Sequence, residues 1–271
     1  MVEINLYQPG KLNIKASFPS EWNELLQREI EAIAKYLLTP FKIPETAKAG
    51  ILLSILKSRT RLPLNFKEYL DPADIVLYGY PLLDFIFTEN TLTNQPYQKI
   101  KLPGFFSPVV YGPASDFNSI TCGEFEDTEQ FFFQFTESPS HEPLARIASV
   151  LFREKDVPYM RFDPQKGRHI AYDADKLFHK FLKLPPYMLY AIFIWYSGCR
   201  SMLKKIFVNA FEGEGTEEPD PMVFTKCIHA GAGSKNGTRD QVRMLNLKEY
   251  FFDMELEAIK AKELKKEYEK R

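Results

Sequence analysis

The chain has little of what disulfide scaffolds, metal sites and membrane spans are built from. Its 271 residues hold three cysteines, Cys122, Cys199 and Cys227, odd in number and far apart. That pattern excludes a disulfide framework, and with no Cys-x-x-Cys pair there is no zinc signature, so free thiols in a reducing compartment are expected. Histidine is scarce as well. His141, His169, His179 and His229 show no ligand spacing, and His141-Glu142 lacks the second histidine that a zinc helix carries three residues on. No metal or cofactor is therefore expected. Residues Met1 to Gly10 lack the basic and apolar regions of a secretory leader. An excess of one charge is missing too: the formal net charge is -1, which argues against a general nucleic-acid binder. The longest uncharged apolar run, Leu184 to Cys199, opens on two prolines and is shorter than the roughly 18 to 20 residues of a membrane span. Arg200, Lys204 and Lys205 follow at helical spacing, as on a core helix with one polar edge, so no membrane partner is expected.

Aromatic residues are plentiful, with 23 Phe and 14 Tyr, and they predict a core whose volume is largely aromatic. The apolar block Tyr187 to Phe211 reads as the central helix of that core. Trp195 is predicted to be buried in it, with Leu151, Phe152 and Phe193 as candidate neighbours.

Periodicity places the remaining elements. Glu3 to Tyr7 and Leu12 to Ala16 alternate around Gln8-Pro9-Gly10 and predict a β-hairpin. Ser20 is placed to cap a helix running to about Leu38, stopped by Thr39-Pro40. A second helix is predicted from Pro44 to Lys57, and Asp71-Pro72 starts a third, interrupted near Gly79 and Pro81. Residues 90–120, rich in proline and glycine, predict short strands and loops that pair with the hairpin. Thr121 and Glu124 have capping-box spacing. Leu144, Ile147, Ala148, Leu151 and Phe152 form a helical stripe after Ser140. Arg153 to Arg168 reads as a polar, proline-containing loop, Asp173 to Leu182 as a short helix, and Pro185-Pro186 as the start of the long apolar one. Gly213 to Pro219 reads as a solvated loop, and Asp220-Pro221 starts a helix to about Ala230. Thr238 and Asn246 cap the last two helices. The predicted class is mostly α (α+β), a helical core with a small β-element from the N-terminal hairpin and the 97–111 segment. The predicted organisation is residues 1–115 and 116–271, with one integrated domain as the alternative.

Several residue groups invite chemistry and have simpler readings. The cluster Gly231 to Thr238 lacks the Gly-Lys-Ser/Thr order of a phosphate loop and follows a helix instead of a strand, so a helix C-cap and turn are expected. Cys199 lies in the most apolar helix, where burial leaves a thiol inert. Glu124, Glu126, Asp127 and Glu129 are read as a solvated helix face. Arg153, Lys155, Arg161, Lys166, Arg168 and His169, interleaved with Tyr159 and Phe162, form a basic run that could meet an acidic protein surface or nucleic acid.

One set of residues resembles a known group. The stretch Asn118-Ser119-Ile120-Thr121-Cys122-Gly123-Glu124-Phe125, with Phe133 and Phe135, precedes Leu144-Ala145-Arg146-Ile147-Ala148-Ser149-Val150-Leu151-Phe152-Arg153. Near the C-terminus an apolar helix, a glycine break and Val242-x-Met244-Leu245-Asn246-Leu247 lead into a charged tail. This arrangement resembles tail-morphogenesis proteins of Bacteroidetes phages and prophages, of the tail assembly chaperone or tail adaptor type, over residues 60–260. Two departures stand out: Phe152-Arg153-Glu154 replaces tyrosine-arginine-proline, and the glycine break carries Ala-Gly-Ser-Lys-Asn where related tails have a phenylalanine. The resemblance implies no catalytic residues. It implies a protein of the bacterial host cytoplasm or the virion that binds other phage structural or assembly proteins; a homo-oligomer is a further candidate partner, and the balanced charge argues against nucleic acid. The alternatives are an enzyme of unrecognised type with a pocket near residues 90–120, and a nucleic-acid-associated protein using the 153–169 basic loop.

The terminal helix, capped by Asn246 and mostly charged from Asp253 to Arg271, carries the functional expectation. Leu247, Tyr250, Phe251, Met254 and Leu256 concentrate in its first turns and predict docking there. Beyond Ala261 only Leu264 and Tyr268 offer apolar contact, so they are candidate partner-binding residues together with Arg153, Arg161 and Arg168. Glu267 and Arg271 have the spacing of a favourable helical ion pair.

Overall fold

At the N-terminus β1 (Val2–Gln8) pairs antiparallel with β2 (Leu12–Phe18), in register from Val2 opposite Phe18 to Gln8 opposite Leu12. The structure is a computed structural model that describes residues 1–8, 12–39, 44–60, 71–166, 168–211, 223–233 and 237–270. Pro9 and Gly10 of the expected turn, the Pro40 stop, the 213–219 loop, the Asp220-Pro221 helix start and Arg271 of the expected ion pair lie outside those residues.

The chain divides into two units, Met1–Pro96 with Pro185–Gly198, and Tyr97–Leu184 with Cys199–Arg271. The boundary expected at 115/116 therefore falls at Pro96, and the first part of the apolar helix joins the N-terminal unit. Two hydrogen bonds explain that return. Trp195 Nε1 donates to the Thr93 carbonyl at 2.9 Å, and Asn90 Nδ2 donates to the Ile194 carbonyl at 2.6 Å.

In the first unit Ser20 does not cap a helix. The Glu24 carboxylate accepts from the Ser20 backbone N–H at 2.7 Å and its hydroxyl at 3.0 Å. Trp22–Glu24 consequently forms a 3-10 turn, with Trp22 buried and its Nε1 donating to the Phe85 carbonyl at 3.0 Å. Helix α1 (Gln27–Leu38) starts only after this turn, where Glu29 accepts from the Leu26 N–H. It buries Ile30, Ile33 and Ala34, and α2 (Pro44–Arg59), which packs against it, buries Ile51, Leu52 and Ile55. The buried Glu29 is held by Arg59 through Nε and Nη2, both at 2.7 Å. After Asp71 the chain runs through α3 (Pro72–Asp74), a π-turn at Ile75–Gly79, a 3-10 turn at Tyr80–Leu83 and α4 (Asp84–Thr88). Pro81, without an N–H, accounts for the break in the ladder. Trp195 is fully buried, while Phe193 is half-buried. Leu151 and Phe152 are buried as expected, but they belong to the second unit.

The second unit holds β3 (Lys99–Lys101), β4 (Val109–Tyr111) and β5 (Arg153–Glu154) as one antiparallel sheet in the order β3-β4-β5. The 97–111 segment does form strands, and among the described residues they pair with each other and with β5, where the chain leaves α6 extended, in a sheet separate from β1–β2. The expected 153–168 loop is also partly strand. β6 (Met160–Asp163) and β7 (Arg168–Ala171) pair with Phe162 opposite His169. Their turn is fixed by Asp163, whose Oδ1 accepts from the Gln165 N–H at 2.9 Å, an Asx turn ahead of Pro164.

Helices α5 (Cys122–Glu137), α6 (His141–Leu151) and α7 (Asp175–Phe181) pack in succession. α8 (Pro186–Ile206) contributes its last turns to this unit and is followed by α9 (Val208–Phe211), α10 (Val223–Ala230), α11 (Arg239–Met244) and α12 (Leu247–Glu269). Three expected caps are in place. Thr121 and Glu124 close the box on α5, Thr238 and Gln241 close one on α11, and Asn246 Oδ1 accepts from the N–H groups of Lys248 and Glu249 on α12. The starts of α5 and α12 are tied together by Cys122 N–H to the Leu245 carbonyl at 3.0 Å and Leu247 N–H to the Ile120 carbonyl at 2.9 Å. Phe125, Phe224 and Phe251 meet edge to face between these helices. The result is a mostly helical fold with small two- and three-stranded sheets. Among the described residues no helix is long and apolar enough to cross a membrane.

Candidate functional site

Glu124, Glu126, Asp127 and Glu129 of α5 do not form a solvated face. Glu124 and Glu129 are fully buried and Glu126 almost so, because the helix is packed on several sides and each carboxylate meets a cation. Glu124 pairs with Arg153 Nη1, and Glu129 takes Arg200 Nε on both oxygens at 3.0 and 2.9 Å. Glu126 accepts from Arg243 Nη1, from Arg239 Nη2 at 2.7 Å and from His229 Nε2 at 2.6 Å. Asp127 accepts from Arg243 Nη2 at 2.7 Å and from the Tyr159 hydroxyl. Sequence spacing could not find these pairs, since the partners lie on α8, α10, α11 and β5.

Gly123 makes the approach of α11 to α5 feasible. A Cβ there would lie 3.1 Å from the Arg243 carbonyl oxygen and 3.2 Å from Tyr159 Cε1. Burial pushes the Glu126 carboxyl up, but the His229 bond and the fields of Arg243 and Arg239 outweigh it and hold the group below its usual range. Burial opposes the charge on Arg243 as well, and Asp127 and Glu126 more than restore it, so the guanidinium is held more firmly protonated. Burial and the Asp127 charge push Tyr159 up. A network in which every carboxylate is neutralised by a guanidinium clamps helices together, and its loss would leave buried charge uncompensated.

The other candidate groups are spread over the fold. Burial pushes the Cys122 thiol up to about 12, and burial raises Cys199 also, which makes both poor nucleophiles. Cys227 is half-buried. His141 Nε2 lies 2.9 Å from the Leu182 carbonyl, His169 meets Phe162 edge to face, and His179 is exposed. Among the described residues no three His, Cys, Asp or Glu side chains gather as a metal ion would need. Gly231 follows α10 into a turn, with the Gly233 N–H donating to the Gly237 carbonyl at 2.7 Å; Ser234 to Asn236 lie outside the described residues.

The three arginines of the basic run are separated. Arg153 turns inward to Glu124, donates to the carbonyls of Val157 and Val150, and lies over the Tyr159 ring. Arg161 and Arg168 are exposed on the β6–β7 hairpin. By the strand register they share a face with Asp163 between them, and Phe162 is on the other face. The run is therefore split: a half-buried Arg153 turned inward, an exposed Lys155, and a hairpin face that mixes both signs.

Exposed apolar surface lies elsewhere. The β3–β4 loop carries Phe105 and Phe106, each 92% exposed, with their rings 4.8 Å apart at 87°. The loop is held from below. Ser107 Oγ donates to the Pro103 carbonyl at 2.5 Å, and Leu102 N–H donates to the Pro108 carbonyl at 3.3 Å. Gly104 has φ +119, a conformation closed to L side chains. The aromatic pair was legible only as Phe-Phe following a Pro-Gly turn. On α12, Leu247, Tyr250 and Phe251 are buried as expected, and Leu256 is exposed. Glu255 accepts from the Ala210 N–H at 2.8 Å, and Lys262 Nζ donates to Asn209 Oδ1 at 2.8 Å, so docking on α9 reaches Lys262, beyond the expected first turns. Residues 263–270 are exposed on every side, Leu264 and Tyr268 included. No protein-family model, curated protein or solved structure matches this chain.

Proposed function

We propose that this chain is a tail-morphogenesis protein of a phage or prophage, working in the bacterial host cytoplasm or the virion by binding other phage structural or assembly proteins and not by catalysis. The resemblance of the Asn118–Phe125, Leu144–Arg153 and Val242–Leu247 stretches supports the tail assignment. The observation that carries the binding reading is the Phe105–Phe106 tip. Two phenyl rings are held in water by a loop whose backbone is fixed, so little ordering entropy opposes their insertion into a partner. Burying each ring is worth about 1.5–3 kcal/mol, enough together to anchor a modest interface.

The test is recovery of partners from phage-producing host cells with a tagged chain. Tail proteins should co-purify with the unaltered chain and be lost with the Phe105→Ser/Phe106→Ser double variant at unchanged melting temperature. Recovery of no tail protein, or equal recovery with the double variant, refutes the reading.

A further inference from the structure

Strand β3 is the edge of its sheet, in the order β3-β4-β5. Gly112 N–H donates to the Gln98 carbonyl at 3.1 Å, and Leu102 N–H donates to the Pro108 carbonyl at 3.3 Å. Ile100 lies opposite Val110 between them. Antiparallel alternation therefore turns the backbone of Gln98, Ile100 and Leu102 toward β4 and that of Lys99 and Lys101 away from it. Those two lysines present two N–H and two C=O groups along the outer edge, and no group of the described residues bonds to them. The register stops at Pro103, which has no N–H to offer and whose carbonyl already accepts from the Ser107 hydroxyl.

The edge is selective. Lys99 and Lys101 are exposed and share one sheet face, while Ile100 is buried on the other. They are the only charged residues between Glu89 and Asp116, and among the described residues no carboxylate pairs with either. Lysines on a short edge strand keep a second copy of this chain away, because like charges would face each other across the new ladder. The same two ammonium groups favour a strand that carries carboxylates two residues apart, since strand addition sets those carboxylates opposite them.

We infer that the β3 edge takes an extended acidic segment of a partner protein, added as a fourth strand with main-chain bonds to Lys99 and Lys101 and alternate carboxylates over their side chains. The inference rests on the reading that this chain works by binding proteins, and it names what the partner presents beside the Phe105–Phe106 tip.

Panning a random nonapeptide display library against the full chain tests this. Enriched peptides should carry Asp or Glu at alternate positions. Saturation with such a peptide should slow hydrogen exchange of the Lys99 and Lys101 amides at least ~tenfold, and change the Ile100 amide, which faces β4, much less. Lys99→Glu/Lys101→Glu should weaken peptide binding at least ~tenfold at unchanged melting temperature. Lys101→Pro, which removes an outward N–H, should weaken it more than Lys101→Ala. No enrichment of acidic peptides, equal binding by the charge-reversed chain, or Lys99 and Lys101 amides that exchange as fast as in the free chain overturns the inference. Sedimentation with vesicles of phosphatidylserine and phosphatidylcholine in equal parts, abolished by charge reversal, would assign the lysines to a lipid surface and overturn it too. Tail proteins retained by the charge-reversed chain but lost with Phe105→Ser/Phe106→Ser would sink this inference alone; retention by both would sink the binding reading as well.

Discussion

Arg200 on α8 lays its Nε against both carboxylate oxygens of Glu129 on α5, at 3.0 and 2.9 Å. Glu129 is 1% exposed. The guanidinium also lies over the rings of Phe132, Phe133 and Phe224, so the pair is enclosed by aromatic surface. Removing one partner strands the other, and either Glu129→Gln or Arg200→Met should cost about 3–5 kcal/mol. The double variant Glu129→Met/Arg200→Met should recover most of that loss, because two apolar side chains leave no buried charge. Urea unfolding of the two single variants and the double variant measures the recovery directly.

Acid should act in part through Glu126. Its folded-state carboxyl is held below the unfolded value of about 4.3. The stability it contributes is fully present above that unfolded value and is lost as pH falls through the folded one. Stability measured by urea titration should accordingly hold from pH 7 to about pH 5 and fall below about pH 4.5. Glu126→Gln should be less stable at pH 7 and show a shallower decline in acid.

Trp195 is fully buried, with its indole N–H on the Thr93 carbonyl. Trp195→Ala should cost about 3–5 kcal/mol. A lesser loss for Trp195→Phe, of about 1–3 kcal/mol, would isolate the carbonyl left without its donor.

Thiol chemistry should follow burial. Cys122 and Cys199 are buried with raised thiol pKa values, and Cys227 is half-buried. Native protein treated with a thiol-specific reagent at pH 8 should label Cys227 first, and the other two only on unfolding. Early labelling of Cys122 would show that the starts of α5 and α12 part readily.

The end of α12 should be dispensable to the fold. Lys262 is bonded to Asn209 of α9, and the residues from Glu263 to Lys270 are exposed. Removing residues 263–271 should change stability by no more than about 0.5 kcal/mol, as urea unfolding would report. Truncation before Glu255 should destabilise it, since that removes the Asn209 and Ala210 bonds as well.

Local signals determined the helical class and most helix starts. Thr121 with Glu124, Thr238, and Asn246 cap because a short polar side chain satisfies N–H groups two or three residues on, an interaction contained within one stretch of chain. The burial of Trp195, Phe125 and Phe251 followed from apolar periodicity in the same way. The first helix escaped that logic because Ser20 was captured by Glu24 and Trp22 by Phe85. Only the tertiary structure decided that Glu124, Glu126 and Glu129 of α5 are buried, that Arg153 faces inward, that β4 pairs with β5, and that α8 is shared between the two units. Each depends on groups 29 to 117 positions apart in sequence, from Arg153 on Glu124 to Arg243 on Glu126. A lone Glu on an amphipathic helix reads as solvated because the cation that neutralises it arrives from elsewhere in the chain, and folding alone brings the two charges together.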